Sequence, residues 1–269
     1  MTESWVQFDV DGPVATLTLN DPGRMNPLSE PLVRACLDAL RKVHDDRRIR
    51  ALVLTGRGRA FSAGADLPSL AAPRPAGAPS LGAEVAALMT DGGNRLVAQL
   101  RAHPVPVVCA LQGAAVGGGA GLALAGDIVV AARSSYFYLP FIPALGIVPD
   151  MGSSWFVPRA AGRVRAMGLA LLGDRLSAEQ AAQWGLIWAC VDDDKLPAEA
   201  TRLATQLAAL PAHAIQEARA LFDASGSHTL AQQLDYERDR QRELIDGPCF
   251  AEGVQAFLDK RRPVFRERG

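Results

Sequence analysis

Apolar and polar positions along this chain follow two different periods. Val14-Ala15-Thr16-Leu17-Thr18-Leu19 alternates small or polar with apolar residues, the period-two signature of a strand. Asn20-Asp21-Pro22-Gly23 then breaks it. Ser29 predicts an N-cap, with Glu30 and Pro31 in the first turn, and Leu32, Cys36, Leu40 and Val43 follow at helical spacing. Ile49 to Leu54 and Val105 to Leu111 are apolar at consecutive positions, which predicts strands buried on both faces. Ile128 to Ala132 and Tyr136 to Leu139 read as short strands around Arg133-Ser134-Ser135. The rhythm is β-β-α more than a strict β-α-β.

Beyond Val157 the period becomes helical. Ser177-Ala178-Glu179-Gln180 is a capping box, and Gly185 stops the helix it starts. Pro197 to Leu210, Ala212 to Ala224, Leu230 to Ile245 and Phe250 to Arg261 all predict helices. The pattern therefore predicts an α/β protein, with a layered core over 1–192 and a helical C-terminal part over 193–269. Pro68 to Gly82 is rich in Pro, Ala, Gly and Ser and has no period, which predicts a mobile loop. A lid and a plain surface insertion fit it equally well.

Composition narrows the partners. With 49% apolar residues in 269, the chain can build a sizeable core. Lys+Arg 28 against Asp+Glu 29 leaves a formal charge of -1, so no dominant field draws nucleic acid or an anionic membrane. A small anionic ligand needs only a local basic cluster. Val105 to Ala125 is nearly uncharged and long enough to suggest a membrane span. Pro106, Gly113, Gly117-Gly118-Gly119 and Gly121 make it read instead as a buried strand, a turn and a short helix. Cys36, Cys109, Cys190 and Cys249 are far apart and lack Cys-x-x-Cys spacing, which predicts reduced thiols without a metal or disulfide frame. Met1-Thr2-Glu3-Ser4-Trp5 has neither the basic start nor the apolar core of a signal peptide. A soluble, cytoplasmic protein is expected.

Two stretches could carry chemistry. Gly58-Arg59-Ala60-Phe61-Ser62-Ala63-Gly64-Ala65-Asp66-Leu67 follows one buried strand, and Gly113-Ala114-Ala115-Val116-Gly117-Gly118-Gly119-Ala120-Gly121 follows another. Each puts small residues at the carboxyl end of a strand where a helix begins, so free N–H groups and a favourable dipole collect there. Tight helix-sheet packing explains either stretch alone just as well. A dinucleotide site fails, because Gly126-Asp127 closes the helix after about two turns and the next strand ends in Ala131-Ala132-Arg133 without an acid.

Taken together, the two stretches resemble the crotonase (enoyl-CoA hydratase/isomerase) superfamily, in order and separation. The resemblance extends from the Asn20 to Leu28 turn to the terminal Phe257-Leu258-Asp259-Lys260-Arg261. It implies a crotonase-like ββα spiral with a C-terminal helical trimerisation region. It also implies an oxyanion hole made by the N–H groups of Ala65 and Gly118, with Ala63, Asp66 and Leu67 beside the bound thioester. A typical hydratase of that superfamily has glutamates at the positions that here are Gly121 and Phe141. Neither carboxylate is present, so ordinary hydration is disfavoured.

The remaining acid in that region is Asp150, flanked by Pro149, Met151, Phe141 and Trp155, an environment that raises a carboxyl pKa toward neutrality. From spacing alone, a helix N-cap and a proton shuttle are equal readings. The stretch Ile147-Val148-Pro149-Asp150, then Trp155, Pro158-Arg159 and Arg163 to Asp192, resembles the bacterial ring-1,2-epoxyphenylacetyl-CoA isomerases. That resemblance implies that Asp150 is the catalytic acid/base. Tyr138, Phe141 and Trp155 are expected to shape an apolar acyl pocket, and Arg24 to lie near the phosphates or adenine of CoA. Phe257 and Lys260 are expected to reach the CoA of a neighbouring subunit in a homotrimer or dimer of trimers. No cofactor or metal is expected, since coenzyme A is part of the substrate. Asp66 is expected to cap the helix after its loop, Asp127 to satisfy backbone groups at a strand start, and His44, His103, His213 and His228 to serve packing or surface roles.

Overall fold

The structure, a computed structural model, describes residues 4–265. Met1 to Glu3, where the signal-peptide reading began, lie outside them, as do residues 266–269. The described chain opens with an antiparallel hairpin of β1 (Val6–Asp11) and β2 (Val14–Leu19). Next come α1 (Glu30–Asp45), β3 (Ala51–Gly56), β4 (Ala60–Ser62) and the single turn α2 (Leu67–Leu70). After these, α3 (Leu81–Leu88) passes through a π-helical turn, Met89–Gly93, into α4 (Asn94–Ala102). The centre of the chain is β5 (Val107–Leu111), β6 (Ala114–Val116), α5 (Gly118–Leu124), β7 (Ile128–Ala132) and β8 (Tyr136–Tyr138). It continues as α6 (Phe141–Leu145), α7 (Ser153–Ala161), α8 (Arg163–Leu172), β9 (Leu176–Ser177), α9 (Ala178–Gln183) and β10 (Ala189–Val191). Four long helices close it: α10 (Leu196–Ala208), α11 (Ala214–Ser225), α12 (Leu230–Ile245) and α13 (Pro248–Leu258).

The strands sort into two sheets, β1-β2-β3-β5-β7-β10 and β4-β6-β8-β9. Three central strands of the first sheet are each followed closely by a short strand of the second: β3 by β4, β5 by β6, β7 by β8. The β-β-α rhythm is thus a spiral in which successive turns add one strand to each sheet. Within the larger sheet β2, β3, β5 and β7 pair in parallel, which requires cover on both faces. Leu52, Leu54, Cys109, Leu111, Val129 and Ala131 point into the main core with α1 and the second sheet. Their alternates Val53, Val108, Ala110, Val130 and Ala132 pack against Leu196, Ala200, Leu203 and Ala204 of α10. Helix α10, read from sequence as the start of the helical part, is therefore the cover of that sheet face.

Asp127 organises the start of β7, as its position suggested. The Val107 N–H donates to its Oδ2 at 2.7 Å. Arg219 of α11 donates to both carboxylate oxygens, at 2.7 and 2.6 Å, and both side chains of this pair are 9% exposed. A buried, bidentate ion pair thus fastens α11 to the sheet.

Several elements depart from the pattern. β1 is an edge strand not among those expected, although Val6, Phe8 and Val10 alternate with Gln7, Asp9 and Asp11. The helical stretch Leu81–Ala102 interrupts its own signal with Gly82, Gly92 and Gly93. It also shortens the expected loop, because only 71–80 has neither helix nor strand. The helix expected from Met151 begins at Ser153, since Met151 (φ 51) and Gly152 (φ 80) are left-handed. Val105 to Ala125 forms β5, β6 and α5, and no helix among the described residues is long and apolar enough to cross a membrane.

Candidate active site

The two small-residue stretches meet. Parallel pairing of β4 with β6 sets Ser62 beside Ala115, so the turns after both strands emerge side by side. Gly64 has φ +80, and a Cβ there would stand 2.5 Å from the Val116 carbonyl oxygen and 3.1 Å from the Gly118 nitrogen. Only glycine permits that approach. Buried Asn26 fixes the first turn from below: its Nδ2 donates to the carbonyls of Arg57 and Ala60 at 3.0 and 2.9 Å, and its own carbonyl accepts from Ser62 Oγ at 2.7 Å. Gly118 is the first residue of α5, so its N–H has no helical partner. Neither that N–H nor the Ala65 N–H has an acceptor among the described residues. Two main-chain donors without an acceptor among the described residues thus belong to residues that line one cavity.

Asp150 lies beside Gly118 and lines the same cavity. Its main-chain carbonyl, rather than its side chain, accepts from Ser153 N–H at 2.9 Å and Ser153 Oγ at 2.7 Å. The N-cap of α7 is Gly152, so the side-chain capping role is not the one adopted. Asp150 Oδ1 is buried without a hydrogen-bond partner and would stand 3.4 Å from a Cβ placed on Gly118. Burial pushes the Asp150 carboxyl above its ordinary pKa, because water that would solvate the anion is excluded.

Between these groups is a cavity of about 490 Å³. Of the residues singled out from sequence it gathers Arg24, Ala65, Asp66, Gly118 and Asp150. Its apolar wall comes from residues the sequence did not offer: Leu28 and Val33 at the head of α1, Val85, Leu88, Met89 and Gly93 along α3 and the π turn, and Met151. A π turn is uncommon and is often found at functional sites. Arg24 stands at the mouth, 46% exposed, paired with Asp21 at 2.6 Å and Asp66 at 2.8 Å. Burial pushes the Asp66 carboxyl up, but Ser69 and the Arg24 guanidinium outweigh it and hold the pKa below the usual range. Asp66 occupies the N-cap position of α2, where the Ser69 hydroxyl and N–H come close enough to lower its pKa, although no full capping bond forms.

The other expected residues sit elsewhere. Tyr138 and Phe141 do not line this cavity; Phe141 is buried behind Gly117, 3.6 Å from where a Cβ on that residue would be. Trp155 lines a separate cavity, with Arg159 4.0 Å above its ring and Phe156 edge-on at 5.2 Å. Period-free sequence gave no means of telling which side of α7 faces the site. Ala63 turns away, its N–H bonded to the Met25 carbonyl, and Leu67 is 47% exposed outside the cavity. Phe257, 84% exposed, and Lys260 lie on the end of α13 and do not line the cavity. Among the described residues no His, Cys, Asp and Glu cluster could hold a metal. All four cysteines are free thiols, and burial pushes that of Cys36 up to about 12.

The sequence matches the enoyl-CoA hydratase/isomerase family over residues 9–268. The chain belongs to that family. It is 46% identical to the 1,2-epoxyphenylacetyl-CoA isomerase of Escherichia coli (strain K12), over 95% of this chain and 96% of that protein. It is 34% identical to the 2,3-dehydroadipyl-CoA hydratase of the same organism, again over 95% and 96%. A crystal structure of an enoyl-CoA hydratase from Polaromonas sp. JS666 superposes with a TM-score of 0.89 at 35% identity, covering 97% of this chain and 99% of that one. The crotonase-like spiral expected from sequence is thus the fold.

Within the enoyl-CoA hydratase/isomerase family, the two positions where hydratases are expected to carry glutamate have clear structural occupants here. Gly121 is buried in α5, and a Cβ there would lie 2.7 Å from Met151 Cβ and closer still to the Met151 carbonyl oxygen. The main chain beside Asp150 therefore fills the space a glutamate needs. Phe141 is an apolar plug, 4% exposed.

Proposed function

We propose that this chain isomerises an acyl-CoA thioester, taking a ring-1,2-epoxyphenylacetyl-CoA to its seven-membered oxepin form. The observation that carries this reading is the carboxyl group of Asp150, whose buried and unpartnered Oδ1 lies next to Gly118, 3.4 Å from where a Cβ there would be. Both positions that would supply a second carboxylate are filled by other groups. Addition of water needs one carboxylate to orient the nucleophile and another to move the proton. Isomerisation needs a single group that takes a proton and gives it back.

In the proposed mechanism the thioester oxygen accepts from the Ala65 and Gly118 N–H groups. Negative charge grows on that oxygen as the α-carbon loses its proton, and a single well-placed donor of this kind is worth roughly 2.7–4 kcal/mol of barrier. Asp150 takes the proton and returns it to a ring carbon, while the carbon–carbon bond shared by the epoxide and the six-membered ring breaks and both carbon–oxygen bonds are kept in the larger ring. No atom is gained or lost. With an unsaturated acyl-CoA, the same proton transfer shifts a double bond. Burial raises the Asp150 pKa, which is the direction that lets a carboxyl group hold a proton as well as accept one.

The relative of 46% identity, named for the epoxide substrate, supports this choice of acyl group. Arg24 at the mouth suits the phosphate end of CoA, although Asp21 and Asp66 already balance its charge. Phe250, Val254, Phe257 and Leu258 are exposed on α13, which suits the proposal that this helix meets another copy in a trimer or a dimer of trimers. The test is direct. The purified chain should convert the ring-epoxide thioester to a product of equal mass with oxepin absorbance, and should leave crotonyl-CoA unhydrated. Rapid hydration of crotonyl-CoA with no action on the epoxide would overturn the proposal.

A further inference from the structure

Met151 is bounded by three glycines. A Cβ on Gly121 would lie 2.7 Å from Met151 Cβ, one on Gly118 3.0 Å from its Cγ, and one on Gly93 2.7 Å from its Sδ. The side chain thus runs from α5, past Gly118, to the π turn, through space that side chains at those glycines would take. Met151 is 6% exposed, lines the cavity and has φ 51. A non-glycine residue is uncommon in that left-handed region, and the packing around it holds it there.

Asp150 Oδ1 and Leu28 Cδ1 close on the same point, 3.4 and 3.3 Å from where a Cβ on Gly118 would be. Met151, Leu28 and the Gly118 main chain therefore crowd the carboxyl group where water would solvate it. Burial is what raises the Asp150 pKa, against its own main chain, which lowers it. The charged groups around it are engaged elsewhere. Glu30 of α1 pairs with Arg34 at 2.5 Å, Glu84 of α3 with Arg74 at 2.8 Å, and Asp66 with Arg24 at 2.8 Å. Helix α5 carries no charged residue, Asp91 of the π turn lines a neighbouring cavity, and Arg159 of α7 lies over Trp155.

We infer that Met151 is a positioning residue for Asp150, its thioether side chain holding the carboxyl group against Gly118 and excluding water from it. This rests on the reading of Asp150 as the proton carrier and deepens it. Gly93 and Gly121 then share a purpose, to seat that side chain. A shift of about 1 Å in a reacting group costs on the order of 100-fold in rate, so the seating matters to the chemistry.

The experiment follows α-proton exchange of phenylacetyl-CoA in heavy water from pD 4 to 8, on the native chain, Met151→Ala, Met151→Leu, Gly93→Ala and Asp150→Asn, with melting curves of each. Exchange needs the Asp150 anion, so its rate rises with pD through the carboxyl pKa. Met151→Ala admits water: the rise should move to lower pD and the plateau should fall about 10- to 100-fold, with KM within about threefold of native. Met151→Leu, which keeps the apolar bulk, should restore the position of the rise and most of the plateau. Gly93→Ala presses on the thioether from the π turn and should lower the plateau about 3- to 10-fold. A Met151→Ala chain that melts lower yet keeps the native profile makes Met151 a packing residue only and overturns the assignment. So does a Met151→Leu chain as impaired as Met151→Ala. If Met151→Ala does not fold, native exchange in Gly93→Ala overturns it instead. Exchange that persists in Asp150→Asn removes Asp150 from the chemistry, and a native chain without exchange overturns the acyl-CoA reading; the Met151 role falls with either.

Discussion

Replacing Asp150 by Asn should make this protein more stable and less active at once. Asn keeps the shape of the side chain and removes its charge. In the native chain Oδ1 is buried with no donor to meet it, and burial raises the carboxyl pKa. A buried polar group without a partner costs about 1–3 kcal/mol and a charged one more; Asn stays polar and unpartnered, so it removes only the excess that comes from the charge. Asp150 also lines an open cavity, so the lower end, about 1 kcal/mol, is the appropriate figure. For a chain of this size that corresponds to a rise of roughly 2–4 °C in melting temperature. The pH dependence follows from linkage. A folded pKa above the unfolded one means that the folded state holds its proton longer, so this group's contribution is fully present below the ordinary carboxyl pKa and is lost as pH rises through the folded value. The gap between Asp150→Asn and the native protein should therefore be near zero in acid and widest above the folded pKa. Melting curves from pH 4 to 8 measure it. In parallel, exchange of the α-proton of phenylacetyl-CoA in heavy water should fall about 100- to 10,000-fold, the usual worth of a positioned base. An Asn variant that melts below the native chain at pH 8 would show that the carboxylate is satisfied after all, and undiminished exchange would remove Asp150 from the chemistry.

Three further outcomes follow from the geometry. Gly121→Glu, which restores a hydratase carboxylate in sequence, should give no measurable crotonyl-CoA hydration and should cost at least about 1–3 kcal/mol in urea unfolding, because its Cβ collides with the main chain of Met151. Gly64→Ala should lower α-proton exchange by about 100- to 1,000-fold in deuterium uptake, since a residue forced from φ +80 displaces the Gly118 N–H it touches. Arg219→Ala strands the buried Asp127 carboxylate and should destabilise by about 3–5 kcal/mol in chemical denaturation, whereas Arg219→Ala with Asp127→Asn should recover part of that loss.

What the sequence by itself determined was whatever a local period or a local motif carries. Runs such as Ile49 to Leu54 are apolar on both faces because a parallel sheet is covered twice, and that is visible without coordinates. The glycines of both turns are legible for a similar reason, as close backbone approach excludes a side chain. The family and the spiral followed from such signals. Which side chains face the cavity is a different kind of fact, set by how a helix rolls on a neighbour far along the chain. Trp155 adjoins Asp150 in sequence, yet it lies under Arg159 in another cavity because Met151 and Gly152 turn the chain left-handed before α7 begins. Leu88, Met89 and Gly93 come from a stretch whose glycines hid its helix, and only tertiary packing against α1 and Met151 made it the apolar wall.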